Sequence, residues 1–84
     1  MSARVEPEMQ AILDGDPRRS IDAILLAHGR LDDLLDRLPA DVTVLHQYRL
    51  IGGVSVSTTA GVLRSLASER HVKAIEPVRD VTHC

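Results

Sequence analysis

The stretch DVTVLHQYRLIGGVSVS, residues 41–57, alternates apolar and polar side chains on both sides of Gly52 and Gly53. Period-two alternation sends successive side chains to opposite faces of a strand, and a glycine pair turns the chain sharply. A β-hairpin is therefore expected in the middle of the chain. Val42, Val44, His46, Tyr48 and Leu50 share one parity, and Thr43, Leu45, Gln47 and Arg49 share the other. A two-residue turn would pair Ile51 with Val54 and set Tyr48 opposite Ser57. A three-residue connection would pair Leu50 with Val54 and Tyr48 with Val56. The longer connection keeps the apolar residues on one face and is the expected register.

An isolated hairpin is marginal in water, so the flanking segments must cover one of its faces. PEMQAILDGDP reads as a short helix with Pro7 in the first turn; Met9, Ile12 and Leu13 lie on one side, and Gly15 and Pro17 end it. SIDAILLAH is an apolar run of strand length. In GRLDDLLDRLPA, Leu31, Leu34, Leu35 and Leu38 follow helical spacing, with Asp32, Asp33, Asp36 and Arg37 on the other side and Pro39 as the stop. STTAGVLRSLASER is a second amphipathic helix, with Ser57, Thr58 or Thr59 as N-cap and Val62, Leu63 and Leu66 buried. HVKAIEP is the last strand, ended by Pro77. Residues 1–7 read as loose.

The expected fold is thus α+β: a ferredoxin-like β-α-β-β-α-β sandwich with a four-stranded antiparallel sheet and two helices on one face, plus a short N-terminal helix. It forms one domain over residues 1–84, with residues 1–17 as an N-terminal extension and residues 79–84 as an extended C-terminal tail. The other sheet face is left to water or a partner. The chain has no Phe or Trp and a single Tyr, so Leu, Ile and Val must supply nearly all the burial. A chain of this length buries about 60–65% of its unfolded surface, which implies modest stability.

The charge pattern excludes several roles. Ten Lys and Arg against twelve Asp and Glu give a formal charge of −2, no field for nucleic acid or an anionic membrane. The sheet offers no aromatic pair for RNA stacking. One cysteine cannot close an internal disulfide. The opening MSARVEPEMQ has no apolar signal core, and no run approaches the roughly 20 residues that span a bilayer. As written, the chain reads as cytoplasmic, an assignment that lapses if it is cut from a longer precursor.

Catalytic chemistry is equally unsupported. His28 and His71 fall at element ends, His46 in a strand and His83 in the tail, with no His-x-x-x-His or Cys-x-x-Cys spacing. His83 beside Cys84 does not close a zinc site. Ser55, Ser57, Ser65 and Ser68 lack a nucleophile-elbow context, and LIGGVS lacks the basic residue of a phosphate loop. The expectation is a binding protein rather than an enzyme, with no metal and no cofactor.

Residues 44–81 resemble the propeptide-type inhibitors of subtilisin-like serine proteases, the inhibitor I9 family. The resemblance rests on Val44 and Tyr48, on Gly53 followed by Val54, Ser55 and Val56, on Leu63 and Leu66, and on Val72, Ile75 and Glu76. Residues 20–41 agree only in element order. Periodicity alone already requires Val44, Tyr48, Leu63, Leu66, Val72 and Ile75 to be core residues.

The resemblance implies an inhibitor or intramolecular-chaperone-like folding assistant whose partner is a subtilisin-like serine protease. The open sheet face, including Leu45 and Gln47, would rest on two protease helices. Glu76 would cap a protease helix N-terminus, where free N–H groups and partial positive charge favour a carboxylate. A second family acid falls on Val78 here, a departure from the pattern. The tail would lie in the active-site cleft, with Val81, Thr82, His83 and Cys84 in the subsites on the acyl side of the scissile bond.

A second reading comes from the hairpin alone. In the expected topology the strand over residues 42–50 lies at a sheet edge, guarded only by Asp41 and Arg49, and is free to pair with its own copy. The chain would then be a self-associating structural or regulatory module, a homodimer through that strand with no protease partner.

Overall fold

The computed structural model describes residues 3–78, which form an α+β unit with a five-stranded mixed sheet and three helices. The elements are β1 (Arg4–Val5), α1 (Pro7–Leu13), β2 (Ser20–Ala27), α2 (Leu31–Asp36), β3 (Thr43–Tyr48), β4 (Gly53–Thr59), α3 (Ala60–Leu66) and β5 (Val72–Pro77). The sheet order is β1-β5-β2-β4-β3. The pairs β5–β2, β2–β4 and β4–β3 are antiparallel, and β1 joins β5 in parallel.

The added strand corrects the expectation of a four-stranded sheet and of a loose N-terminus. Arg4 lies opposite Ala74 and Val5 opposite Ile75. Further backbone bonds run from Ala3 N–H to the Ala67 carbonyl and from Glu6 N–H to the Ile75 carbonyl. Without β1, the outer edge of β5 would present bare N–H and C=O groups. Pro7 then starts α1 at once, with its fixed φ suited to the first helical turn.

The core lies on one face of the sheet. Ile21, Ala23 and Leu25 of β2 and Val54 and Val56 of β4 form one buried cluster with Met9 and Leu13 of α1, Leu31 and Leu34 of α2, and Leu63 and Leu66 of α3. Alternation explains the sheet contribution: Ala23 pairs with Val56 and Leu25 with Val54, and antiparallel partners share a face. Each large aliphatic side chain buried here contributes roughly 1.5–3 kcal/mol. Met9 and Leu13 are as buried as any of these, so α1 belongs to the core and is not an appendage.

Local signals account for the helix ends. The Thr59 side chain accepts from Val62 N–H at 3.3 Å, which settles the N-cap of α3. Arg64 donates to the Leu13 carbonyl and ties α3 to the C-terminal end of α1, where a cation is favoured. α2 is shorter than its leucine pattern: it stops at Asp36, and i→i+3 bonds from Arg37 to Leu34 and from Leu38 to Leu35 tighten its end. Six residues make a helix only about 9 Å long.

The hairpin register differs from both readings of the sequence. Tyr48 pairs with Gly53, Gln47 with Val54, His46 with Ser55 and Val44 with Val56. The loop is residues 49–52, closed by bonds from Ile51 N–H to the Tyr48 carbonyl and from Gly52 N–H to the Arg49 carbonyl. Gly52 has φ of 65°, a conformation that a Cβ disfavours. Leu50 and Ile51 therefore belong to the turn instead of extending the strand. A bulge at Leu45 then reverses the alternation along β3, so that Val44 and His46 fall on opposite faces.

Candidate protein-binding surface

β3 is the outermost strand on its side of the sheet, and all six of its residues are exposed. Val44 and Tyr48, expected in the core, are not in it. For Tyr48 the reason is the bulge, which sets its side chain on the helix-free face; for Val44 it is reach. Val44 faces the helix side opposite the buried Val56, but the helix layer does not cover the outermost strand. The other expected core residues, Leu63, Leu66, Val72 and Ile75, are buried.

The exposed apolar residues concentrate here. Val44, Leu45, Tyr48, Leu50 and Ile51 are large hydrophobics open to solvent on β3 and its turn, and Leu50 is fully exposed. The sequence reading places Leu50 and Ile51 in the strand, and the structure moves both into the turn. Their signal was two adjacent aliphatic residues immediately before a glycine pair, which alternation alone assigns to the strand.

Polar contacts fix the hairpin. The Arg49 guanidinium lies 3.2 Å from Asp32 of α2 and donates to the Gln47 side chain at 2.9 Å. The His46 and Tyr48 rings stack at 4.6 Å with a 57° tilt. Asp41, at the start of the hairpin, offers its carbonyl to the Thr58 hydroxyl at 3.4 Å.

The helix-free face of the sheet is a second surface. It carries Ile24, Leu26, Ser55, Ala74 and Glu76, with His46 and Tyr48 at its β3 margin, as the register dictates. Ile24 and Leu26 are half-buried, and the short Ser55 and Ala74 are sunk between longer neighbours. A Cβ on Gly53 would stand 3.1 Å from Leu26 and 3.4 Å from Ile51, so glycine lets both side chains close over this spot. Gln47, expected on this face, pairs with Val54 and faces the helix side. Leu45 occupies the bulge.

Glu76 lies within β5, opposite Ile24, and not beyond the strand end. Its carboxylate is 3.8 Å from the Arg4 guanidinium, both partly exposed. The groove between β1 and the end of β5 holds about 270 Å³ and is lined by Arg4, Val5, Glu6, Pro7, Ile75 and Glu76. The expected tail residues Val81, Thr82, His83 and Cys84 lie outside the described residues.

Among the described histidines, His28 N–H donates to the His71 carbonyl at 2.8 Å, and the His71 Nε2 is buried without a hydrogen-bond partner. No three His, Cys, Asp or Glu side chains gather as a metal site among the described residues. No helix among them is long and apolar enough to cross a membrane. No family model, curated protein or solved structure matches this chain.

Proposed function

We propose that the chain is a protein-binding module on a ferredoxin-like core, acting as a propeptide-type inhibitor or folding assistant of a subtilisin-like serine protease. Leaving β1 aside, the antiparallel order β5-β2-β4-β3 is compatible with a β-α-β-β-α-β sandwich and supports this reading. The observation that carries the reading is the helix-free sheet face. It presents Ile24 and Leu26 beside Glu76, on the strand that leads directly to residues 79–84.

A flat, partly apolar face with a carboxylate at its margin suits two helices presented by a partner, one of them N-terminus first. The Arg4–Glu76 contact is between exposed groups and is worth little, so a partner helix can compete for the carboxylate. Residues 79–84 would extend into the cleft as an added strand, with backbone groups supplying affinity and alternate side chains supplying fit.

Subtilisin hydrolysis of a chromogenic peptide tests the reading. Added full-length protein is expected to slow it in a dose-dependent, competitive manner. Unslowed hydrolysis at tens of micromolar would remove general subtilisin inhibition from the proposal.

A further inference from the structure

We propose that the chain forms a two-fold dimer in which β3 pairs antiparallel with β3 of a second copy, joining two sheets into one. The dimer uses the backbone edge of β3 and the inhibitor reading uses the helix-free face around Ile24, Leu26 and Glu76; Tyr48 borders both, and Leu45→Lys on the edge tests the dimer apart from inhibition.

β3 ends the sheet and carries no charged residue between Asp41 and Arg49. Edge strands that stay single are usually guarded by inward charges, proline or cover from another element. This edge has a bulge, but its strand and turn display Val44, Leu45, Tyr48, Leu50 and Ile51 to solvent. A copy of the same strand is the occupant that the flanking charges favour. Asp41 and Arg49 lie equally far on either side of Leu45. Antiparallel pairing brings each Arg49 to within one residue of the copy's Asp41, twice over, and the exposed contact of Arg49 with Asp32 is weak enough to be exchanged for it. Parallel pairing would instead set Asp41 beside Asp41 and Arg49 beside Arg49, which is repulsive.

The bulge selects the register. Thr43 and Tyr48 both lie on the helix-free face, and Val44 and Gln47 both face the helix side. Setting Thr43 against the copy's Tyr48, and Val44 against its Gln47, keeps each pair on one face of the joined sheet. Continued past the strand ends, the same register brings Val42, which is only half-buried in the single chain, alongside the copy's Arg49 and Asp41 alongside its Leu50. The contact is isologous, so it closes at two copies and leaves no free β3 edge to propagate.

Sedimentation equilibrium of the full chain from micromolar to millimolar concentration tests this. The chain is expected to dimerise. Leu45→Lys places a charge on the pairing edge and is expected to yield a monomer with an unchanged circular-dichroism spectrum. Asp41→Arg is expected to weaken the dimer about tenfold, as for two exposed ion pairs turned repulsive. Adding Arg49→Asp to that variant is expected to restore it. Hydrogen exchange on the unmodified chain is a check that needs no variant: β3 amides should gain protection as concentration rises.

A monomer at millimolar concentration would overturn the proposal. So would a dimer indifferent to Leu45→Lys, or β3 exchange that does not change with concentration. A monomer that instead binds phosphatidylserine vesicles through Leu50 and Ile51 would assign the patch to a lipid surface and overturn it as well.

Discussion

Val44 and Val56 are cross-strand partners on the same side of the sheet, yet Val56 is fully buried and Val44 is 41% exposed. One strand spacing, about 4.8 Å, separates a core residue from a surface one. The helix layer therefore ends over β4, and β3 is supported through its backbone more than by burial of its side chains.

This contrast predicts unequal costs for the same substitution. Val56→Ala should destabilise the fold by about 2 kcal/mol, from lost burial and the cavity left behind. Val44→Ala should fall within about 0.5 kcal/mol of neutral, as for other surface changes. Urea unfolding of the two variants compares them directly, and equal losses would mean that β3 is covered in solution.

The same pair marks what was legible in the sequence. Strand and helix positions followed from periodicity, because Ile21, Ala23 and Leu25 or Leu63 and Leu66 each need a buried face whatever the tertiary arrangement. How far the helix layer extends was not legible, since it depends on where α2 stops. The face reversal in β3 was hidden for a different reason: a bulge at Leu45 leaves no distinctive residue type in a strand of mixed apolar and polar side chains. β1 was hidden because a two-residue strand has no period to detect. The candidate site was legible in part: the uncharged edge was evident from Asp41 to Arg49, whereas the exposure of Leu50 and Ile51 required the actual turn.

The cap of α3 gives a second test. Thr59 satisfies one of the free N–H groups at the start of a seven-residue helix. Thr59→Ala should cost about 1 kcal/mol, and Thr59→Ser should recover most of it because the hydroxyl remains. Thermal unfolding of both variants measures the difference. Identical midpoints for the Ala and Ser variants would show that the hydroxyl does not cap α3.

Glu76 separates binding from folding. Its contact with Arg4 is between partly exposed groups and should contribute less than about 1 kcal/mol. Glu76→Gln should leave the thermal midpoint nearly unchanged and weaken protease inhibition several-fold, by the roughly 0.3–1 kcal/mol of a carboxylate at a helix N-terminus. An inhibition constant unaffected by the change would remove Glu76 from the interface.

The tail gives the sharpest test of the inhibitor reading. Deleting residues 81–84 removes Val81, Thr82, His83 and Cys84 and leaves every residue of the described buried cluster in place. The midpoint should hold, and inhibition should weaken by about tenfold or more, equivalent to about 1.4 kcal/mol of lost cleft contact. Replacing Cys84 by Tyr or Leu should tighten inhibition, because a larger apolar side chain buries more surface in the innermost pocket. Full and truncated chains of equal potency would mean that the tail does not enter the cleft.

The N-terminal segment yields the final prediction. α1 places Met9 and Leu13 in the middle of the core, and Arg64 holds the Leu13 carbonyl from α3. β1 meanwhile closes the outer edge of β5. Removing residues 1–13 would open a cavity under α3 and strip β5 of its neighbour at once. Met9→Ala alone should cost about 2–5 kcal/mol, a large share of the stability expected for a domain this small. The truncated chain should therefore lose its cooperative thermal transition and expose the apolar face of its sheet. A truncation that still melts cooperatively at the original midpoint would show that the core is complete without α1, and that the segment is the accessory its place at the chain end suggests.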